Sequence, residues 1–483
     1  MIAKLRTFFE YAESDKFRKI LKWIVVGTLL VYLFTSISAY AEWFPGSTHY
    51  FVFSSKSGLL IRIVTSLMFG FACFLVYVSF RKSINYKWLF VFGALLFVIL
   101  LCMFYTPTYY SVLYRTTKLY DFMAQYETSV SIETVIKMYF SFAVDVLFAF
   151  CFVFVLPHIF DKRTLFLYVL LPFMLIIFYS LIYSLFKEKE YYIRFVKGDW
   201  EYNAVTIGSI FGNKQQWGIF LAPSLPVSFL CAFFICKSNS KKVLKIISCI
   251  LLSIFFILTS FCALASFCKT AIISNFLFIC FIILGIIFWL FINKRKLVLP
   301  IILSSLVIVG IIGLVVFMKI DSLHESGIGK TVFNIINTLF TEGSTTASSR
   351  LEIMLVTLQN FPATNIFFGF SKGVLDCFVR TVVPYMNNGL HTGLAIYFGR
   401  TGIIGSVIYI VLLGIIIWSM IKIMKKNCIY GFAILGTFVT SFILNLSELE
   451  ILIVSSSATV YILNLILVTL PISETIKERE YAL

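Results

Sequence analysis

A chain of 483 residues that is 60% hydrophobic and only 13% charged carries more apolar side chain than the core of a soluble protein can bury. Its formal charge of +17 raises the question of a nucleic-acid partner, but the placement of the cations argues against one. The apolar residues instead come in runs of roughly 18 or more, each long enough to cross a bilayer as a helix. Twelve such runs are read: 22–41, 60–80, 88–105, 138–157, 164–186, 206–236, 243–265, 270–291, 297–318, 401–421, 428–447 and 451–470. The expected fold is an all-α polytopic membrane protein with about twelve transmembrane helices and one large outer loop between spans nine and ten. One membrane domain then divides into helices over 1–318, a loop over 319–400, and helices with a tail over 401–483. The first run is too long for a cleavable signal peptide and reads as a signal anchor.

With the N-terminus in the cytoplasm and the sides alternating, the inner segments are 1–22, 80–87, 158–163, 237–245, 292–296, 422–427 and the tail. These short segments hold more than half of the 40 Lys and Arg residues. Dense cations in short loops on one face are the positive-inside signature, so clusters such as Lys294-Arg295-Lys296 are topology signals. Both termini are expected in the cytoplasm and the chain in a plasma membrane. Of the eleven cysteines only Cys377 falls in the outer loop, and no Cys/His spacing suggests a disulfide framework or a metal site.

Taken in order, the first polar residues inside apolar runs are Arg62, near the outer end of the second, and Asp145, within the fourth. Arg62 is close enough to the surface to snorkel. Asp145 either pairs within the bundle or has a functional role. The stretch 203–236 is too long for one straight span and contains the polar knot Asn213-Lys214-Gln215-Gln216. Either the helix is broken there and lines an outward cavity, or the span begins at Trp217 and the knot lies among the headgroups. Lys269 sits at the outer turn between the seventh and eighth runs, as a snorkelling turn residue or as an isolated outer cation.

The outer loop contains two helix-like pieces. The first covers 331–340 and stops near Gly343. The second starts at Ser349-Arg350-Leu351-Glu352, where an N-cap Ser with Glu three residues on forms a capping box. Glu352 then reads as a cap partner. Arg350 would occupy the first turn, where the helix dipole disfavours a cation: either an anion docks beside it or it is an exposed Arg without a partner, at a small cost. Gly369, Lys372, Gly373 and Arg380 follow, then Asn387-Asn388-Gly389-Leu390-His391 at membrane re-entry. A histidine there has the chemistry of a general base near neutral pH.

Four local patterns resemble, in order, the O-antigen ligase and Wzy-type polysaccharide polymerase superfamily. Gly208-Ser-Ile-Phe-Gly-Asn213-Lys-Gln-Gln-Trp-Gly-Ile-Phe-Leu221 is similar to its Gly-x-x-x-x-Asn-Pro-Asn-x-aromatic stretch. Cys268-Lys269-Thr270-Ala271 resembles its Ser-Arg-Gly/Thr-Ala turn. Ser349-Arg350, a helix, an Asn-Phe-Pro break and Gly369 resemble its Arg-helix-Pro-Gly segment. His391 with Gly402-Ile-Ile-Gly405 resembles its His-Asn…Gly-x-x-Gly close. The resemblance covers about 205–421. The chain departs from it at Lys214-Gln215, where Pro-Asn is usual, at Lys269 in place of Arg, and at Thr392 in place of Asn. A Trp usual after the Arg is missing.

The resemblance implies a metal-independent glycosyl transfer on the outer face of the plasma membrane, without a cofactor. The donor would be an oligosaccharide on a polyprenyl diphosphate held in the lipid bilayer, and the acceptor another lipid-linked repeat unit. A flippase and a chain-length regulator of the same pathway would be partners. His391 would be the catalytic base. Arg350 and Lys269, with Lys214 and Arg400, would hold the diphosphate, and Asn213, Gln215 and Gln216 would line the cavity. A ligase delivering glycan to another acceptor remains an alternative, as does a twelve-span lipid-linked oligosaccharide flippase. A flippase would show repeated halves and more midplane charge than this chain carries.

Overall fold

A computed structural model describes residues 11–38, 56–80, 151–197, 207–212, 214–237, 241–292, 343–361, 363–369, 393–447 and 458–473, with a few single positions between them. The chain is an all-α multi-pass membrane protein. Among the described residues, eight helices are long and apolar enough to cross a membrane. In chain order the elements are α1 (Asp15–Ser38), α2 (Lys56–Phe80), α3 (Leu171–Lys187), α4 (Lys189–Lys197), α5 (Lys214–Leu221), α6 (Ser224–Lys237), α7 (Lys242–Ala265), α8 (Lys269–Ile292), α9 (Gly343–Gln359), α10 (Gly393–Lys426), α11 (Cys428–Ser447) and α12 (Ala458–Asn464). Polar residues set many of the ends: Lys242 opens α7, Lys237 closes α6, and Lys425 and Lys426 close α10 where cations suit the helix dipole.

The expected spans over 22–41, 60–80, 164–186, 243–265, 270–291 and 428–447 each meet one of these helices within a few residues. The span expected over 206–236 is broken. A single 3₁₀ turn, Ser209–Phe211, precedes α5, and α5 and α6 are separated at Ala222-Pro223. The tenth span starts earlier than 401, because α10 begins at Gly393 and bends at Gly402. The last run carries an apolar helix over Thr459–Ser473. The run 297–318, all but three positions of 88–105, and residues 138–146, Asp145 among them, lie outside the described residues.

The most extensive packing among the described helices is α8 against α11. A buried aromatic cluster joins α1, α2, Phe148, Phe152 and α12. Tyr32 and Tyr461 have ring centroids 4.9 Å apart, Phe69 and Phe148 5.3 Å, and Phe152 and Tyr461 5.0 Å. Paired rings of this kind add specificity to the dispersion contacts that hold helices together where water offers no driving force.

Segments that the charge pattern assigns to one face meet at one end of the bundle. The Arg18 guanidinium donates to the Ser79 carbonyl at 2.9 Å and lies over the Phe80 ring, which stacks on His158. Lys22 pairs with Asp161 at 3.2 Å, and the Ser473 hydroxyl donates to the Phe160 carbonyl. Phe234 packs near Phe166, and Phe233 stacks on Tyr430 at 5.2 Å. The start of α1, the ends of α2 and α6 and the start of α11 thus share one basic end with residues 158–161. Residues 188, 208, 265 and 267 gather at the other.

Two titrating groups tie the basic end together. Burial and the neighbouring Arg18 cation hold the His158 pKa down to about 4. Burial would raise the Asp161 pKa, but the Thr164 N–H and hydroxyl and the Lys22 ammonium outweigh it and lower the pKa. A His with a lowered folded pKa stabilises fully above its unfolded value near 6.5, and that stability is lost as pH falls toward about 4. The Asp161 contribution is lost at still lower pH. The thermal midpoint of the detergent-solubilised protein is therefore expected to fall as pH drops from 6.5 toward 4. His158→Phe, which keeps the stack on Phe80, should flatten this slope. An unchanged slope would exclude His158 as its source.

Candidate functional site

The end opposite the basic cluster is organised by a carboxylate. Apolar α3 stops at Glu188, whose N–H donates to the Ser184 carbonyl at 2.8 Å. Its Oε1 accepts the backbone N–H groups of Gly208 at 2.9 Å and Ser209 at 3.2 Å. Its Oε2 accepts the Ser184 hydroxyl at 2.5 Å, and Ser184 also contacts the Tyr192 hydroxyl at 2.7 Å. The Ser209 hydroxyl donates to the Ser180 carbonyl at 2.6 Å. The carboxylate thus takes up two backbone donors at the turn that precedes the polar knot. Ser209 needs such support, because its φ of 49° is left-handed and costly for a residue with a Cβ.

A second turn lies beside it. The Ser266 hydroxyl donates to the Ala263 carbonyl and accepts the Cys268 N–H at 3.3 Å. Phe267 has a φ of 52°. Its ring meets Phe195 at 5.8 Å, and the Tyr191 hydroxyl donates to the Ala265 carbonyl at 3.2 Å. Among the described residues, Ser209 and Phe267 are the two non-glycine residues with positive φ, one in each turn. Gly218 on α5 sits directly on Cys268, and a Cβ there would overlap that side chain and touch Ala271 at 3.5 Å. The Gly208–Leu221 and Cys268–Ala271 patterns are therefore packed against each other. Two buried polar groups lie in the same helices: Trp217 Nε1 and the Asn275 amide have no hydrogen-bond partner among the described residues.

The other two patterns are joined by backbone. The chain leaving α9 makes a 3₁₀ turn, Ala363–Asn365, and reaches Gly369 at φ 74°, where the Gly369 N–H donates to the Asn365 carbonyl at 2.7 Å. The Asn365 amide donates to the Gly369 carbonyl at 3.0 Å. In α10, Gly402 has φ 64° and ψ −162°, which breaks the helical ladder. The first N–H groups past the break go to the loop: Ile403 donates to the Ile366 carbonyl at 2.8 Å and Ile404 to the Phe367 carbonyl at 3.3 Å. No side chain fits between the two segments. A Cβ on Gly369 would stand 2.5 Å from the Arg400 carbonyl carbon, and one on Gly402 would stand 2.6 Å from the Ile366 oxygen.

These elements place the expected residues as follows. Lys214 and Lys269 are the first residues of α5 and α8, both half-buried. Gln215 and Gln216 are exposed in the first turn of α5. Arg400 is half-buried, just ahead of the break at Gly402. Asn213, His391 and Cys377 lie outside the described residues, and His391 stands two positions before α10. The Arg350 expectation needs correction. α9 begins at Gly343, so Arg350 is in its third turn and Ser349 is no N-cap. Apolar periodicity begins only after Ser349, whereas the helix also recruits the preceding Ser/Thr/Ala stretch, whose intrinsic preference is weak. The argument that a cation at a helix start suits an anion applies instead to Lys214 and Lys269.

Glu188 was not singled out by sequence. It lies in Lys187-Glu188-Lys189-Glu190, which reads as the solvated border of a span. Its place at the last turn of an apolar helix was the available signal. Compared with known proteins, the chain matches no family model, and no curated protein matches it detectably. Glu188→Ala should leave the Gly208 and Ser209 donors unpaired and cost about 1–3 kcal/mol, whereas Glu188→Gln, which keeps one acceptor oxygen, should cost less. Thermal unfolding of the two variants checks this order, and equal costs would show that the carboxylate does not hold the turn.

Proposed function

We propose that the chain is a metal-independent membrane glycosyltransferase. It polymerises polyprenyl-diphosphate-linked oligosaccharide repeat units into a surface polysaccharide on the outer face of the plasma membrane. The observation that carries this reading is the joining of four separated sequence patterns into two tight pairs, Gly218 on Cys268 and Gly369 on Gly402 with its neighbours. Each pair brings cations with it: Lys214 and Lys269 at helix starts in one, Arg400 at a helix break in the other.

In this reading His391 takes the proton from the acceptor hydroxyl. The oxygen attacks the anomeric carbon of the donor sugar, and the bond from that carbon to the diphosphate oxygen breaks. The polyprenyl diphosphate leaves with the electron pair. Its charge is held by Lys269, Lys214, Arg400 and Arg350, in surroundings where low polarity strengthens each contact. The flanking helices leave the prenyl chain in the bilayer, and the basic end of the bundle faces the cytoplasm by the positive-inside rule.

Three substitutions test the chemistry in cells. Arg350→Ala should abolish polymer with protein levels intact. Lys269→Arg should be tolerated, because the charge remains. His391→Gln should lower turnover by about 10²–10⁴-fold and leave lipid-linked single repeats to accumulate. Normal polymer from His391→Gln would remove it as the base, and normal polymer from Arg350→Ala would misplace the anion site. Orientation is read separately, by cysteine labelling of Ser344→Cys from outside and of Asn293→Cys only after permeabilisation. The reverse pattern would overturn the topology.

A further inference from the structure

The short helix α4 has no part in the transfer as proposed, yet it is attached to both turns of the site. Tyr191 is bonded to the Ala265 carbonyl, Phe195 packs on Phe267, and Tyr192 reaches Ser184, which also holds Glu188. These three aromatics are buried, while Lys189, Glu190, Arg194 and Lys197 are exposed. A helix with one aromatic face inward and one charged face outward, at the end of an apolar span, suits the plane of the lipid headgroups. Three of its four charges are positive, at the end of the bundle where the sequence places few cations.

Between it and α7 lies a groove of about 380 Å³, lined by Leu185, Tyr192, Ile193, Val196 and Phe261 and flanked by Lys189 and Lys197. Positions 189, 193 and 197 fall on one face of a helix. The two lysines stand about 12 Å apart along its axis, with exposed Ile193 between them. Long, flexible lysine stems can close both ammonium groups on one ligand. A single phosphodiester offers one charge to two separated cations, whereas a diphosphate offers more. The apolar strip beneath them suits a hydrocarbon chain leaving toward the bilayer.

We infer that this groove binds the diphosphate and first isoprene units of an isoprenoid diphosphate, outside the reacting centre, and so serves as an entry site for the lipid-linked donor. The inference rests on the proposed function for the identity of that lipid. Occupancy would act on the two strained turns through Tyr191, Tyr192 and Phe195.

The test is direct binding of farnesyl diphosphate to the purified full-length chain in neutral detergent, by calorimetric titration. The double substitution Lys189→Gln/Lys197→Gln should weaken binding by about tenfold or more, the scale of two lost charge-assisted contacts. Phe261→Ala should weaken it by a smaller factor, and farnesyl monophosphate should bind more weakly than the diphosphate. Lys242→Gln/Lys245→Gln, at the basic end, should leave binding unchanged. Wild-type affinity in the Lys189/Lys197 double variant overturns the inference, as does an equal loss in the Lys242/Lys245 control. Displacement of the probe by phosphatidylglycerol as readily as by the diphosphate would make this a general anionic-lipid surface and also overturn it. Polymer is not the readout. Normal polymer from His391→Gln with binding lost in the Lys189/Lys197 variant would therefore defeat the mechanism and keep the groove.

Discussion

In hydrocarbon, every backbone N–H and C=O must find a partner within the protein, and an orphan costs several kcal/mol. A helix does this for its interior but not at a break. Among the described residues, the breaks before α5 and at Gly402 in α10 each have a dedicated acceptor. Glu188 takes the Gly208 and Ser209 donors, and the Ile366 and Phe367 carbonyls take those of Ile403 and Ile404. The rest of the end opposite the basic cluster follows from these pairings. They oblige α3 to stop where it does and bring the segment after α9 down onto α10.

Close approach is the companion constraint. Carbonyls can reach across from another segment only where no Cβ intervenes, which is why Gly369 lies against the Arg400 and Thr401 backbone and Gly402 against that of Ile366 and Phe367. The same economy of space lets α5 settle on Cys268. The strain at Ser209 and Phe267 persists because their surroundings are rigid: Phe267 is held among aromatic rings and Ser209 between a carboxylate and a carbonyl.

The two ends of the bundle use charge differently. At the basic end Arg18 is engaged by a carbonyl and an aromatic face and Lys22 by Asp161, while Lys241, Lys242 and Lys425 stand exposed. At the other end, the cations of α4 stand exposed on an amphipathic helix, and two lysines open helices where the dipole works against them.

Composition and apolar run length were enough to determine that the chain is helical and crosses a membrane many times. Both are local properties, since a run of some twenty apolar residues has one stable form in a bilayer. The lysines at 214 and 269 were also legible, because each interrupts an apolar stretch. What the chain alone did not reveal depends on contacts between residues far apart in sequence. Its place at the end of an apolar helix is all that sets Glu188 apart from Glu190 locally, and the approach of Gly208 makes it a structural acceptor. Nothing local marks the break at Gly402 inside thirty-four residues of helix, because the acceptors that stabilise it come from Ile366 and Phe367. The start of α9 went the same way: the Ser349 cap was a sound local signal, but the helix runs on ahead of it to Gly343. Hydropathy decided which segments enter the membrane, and tertiary hydrogen bonding decided where they bend and which polar groups meet there.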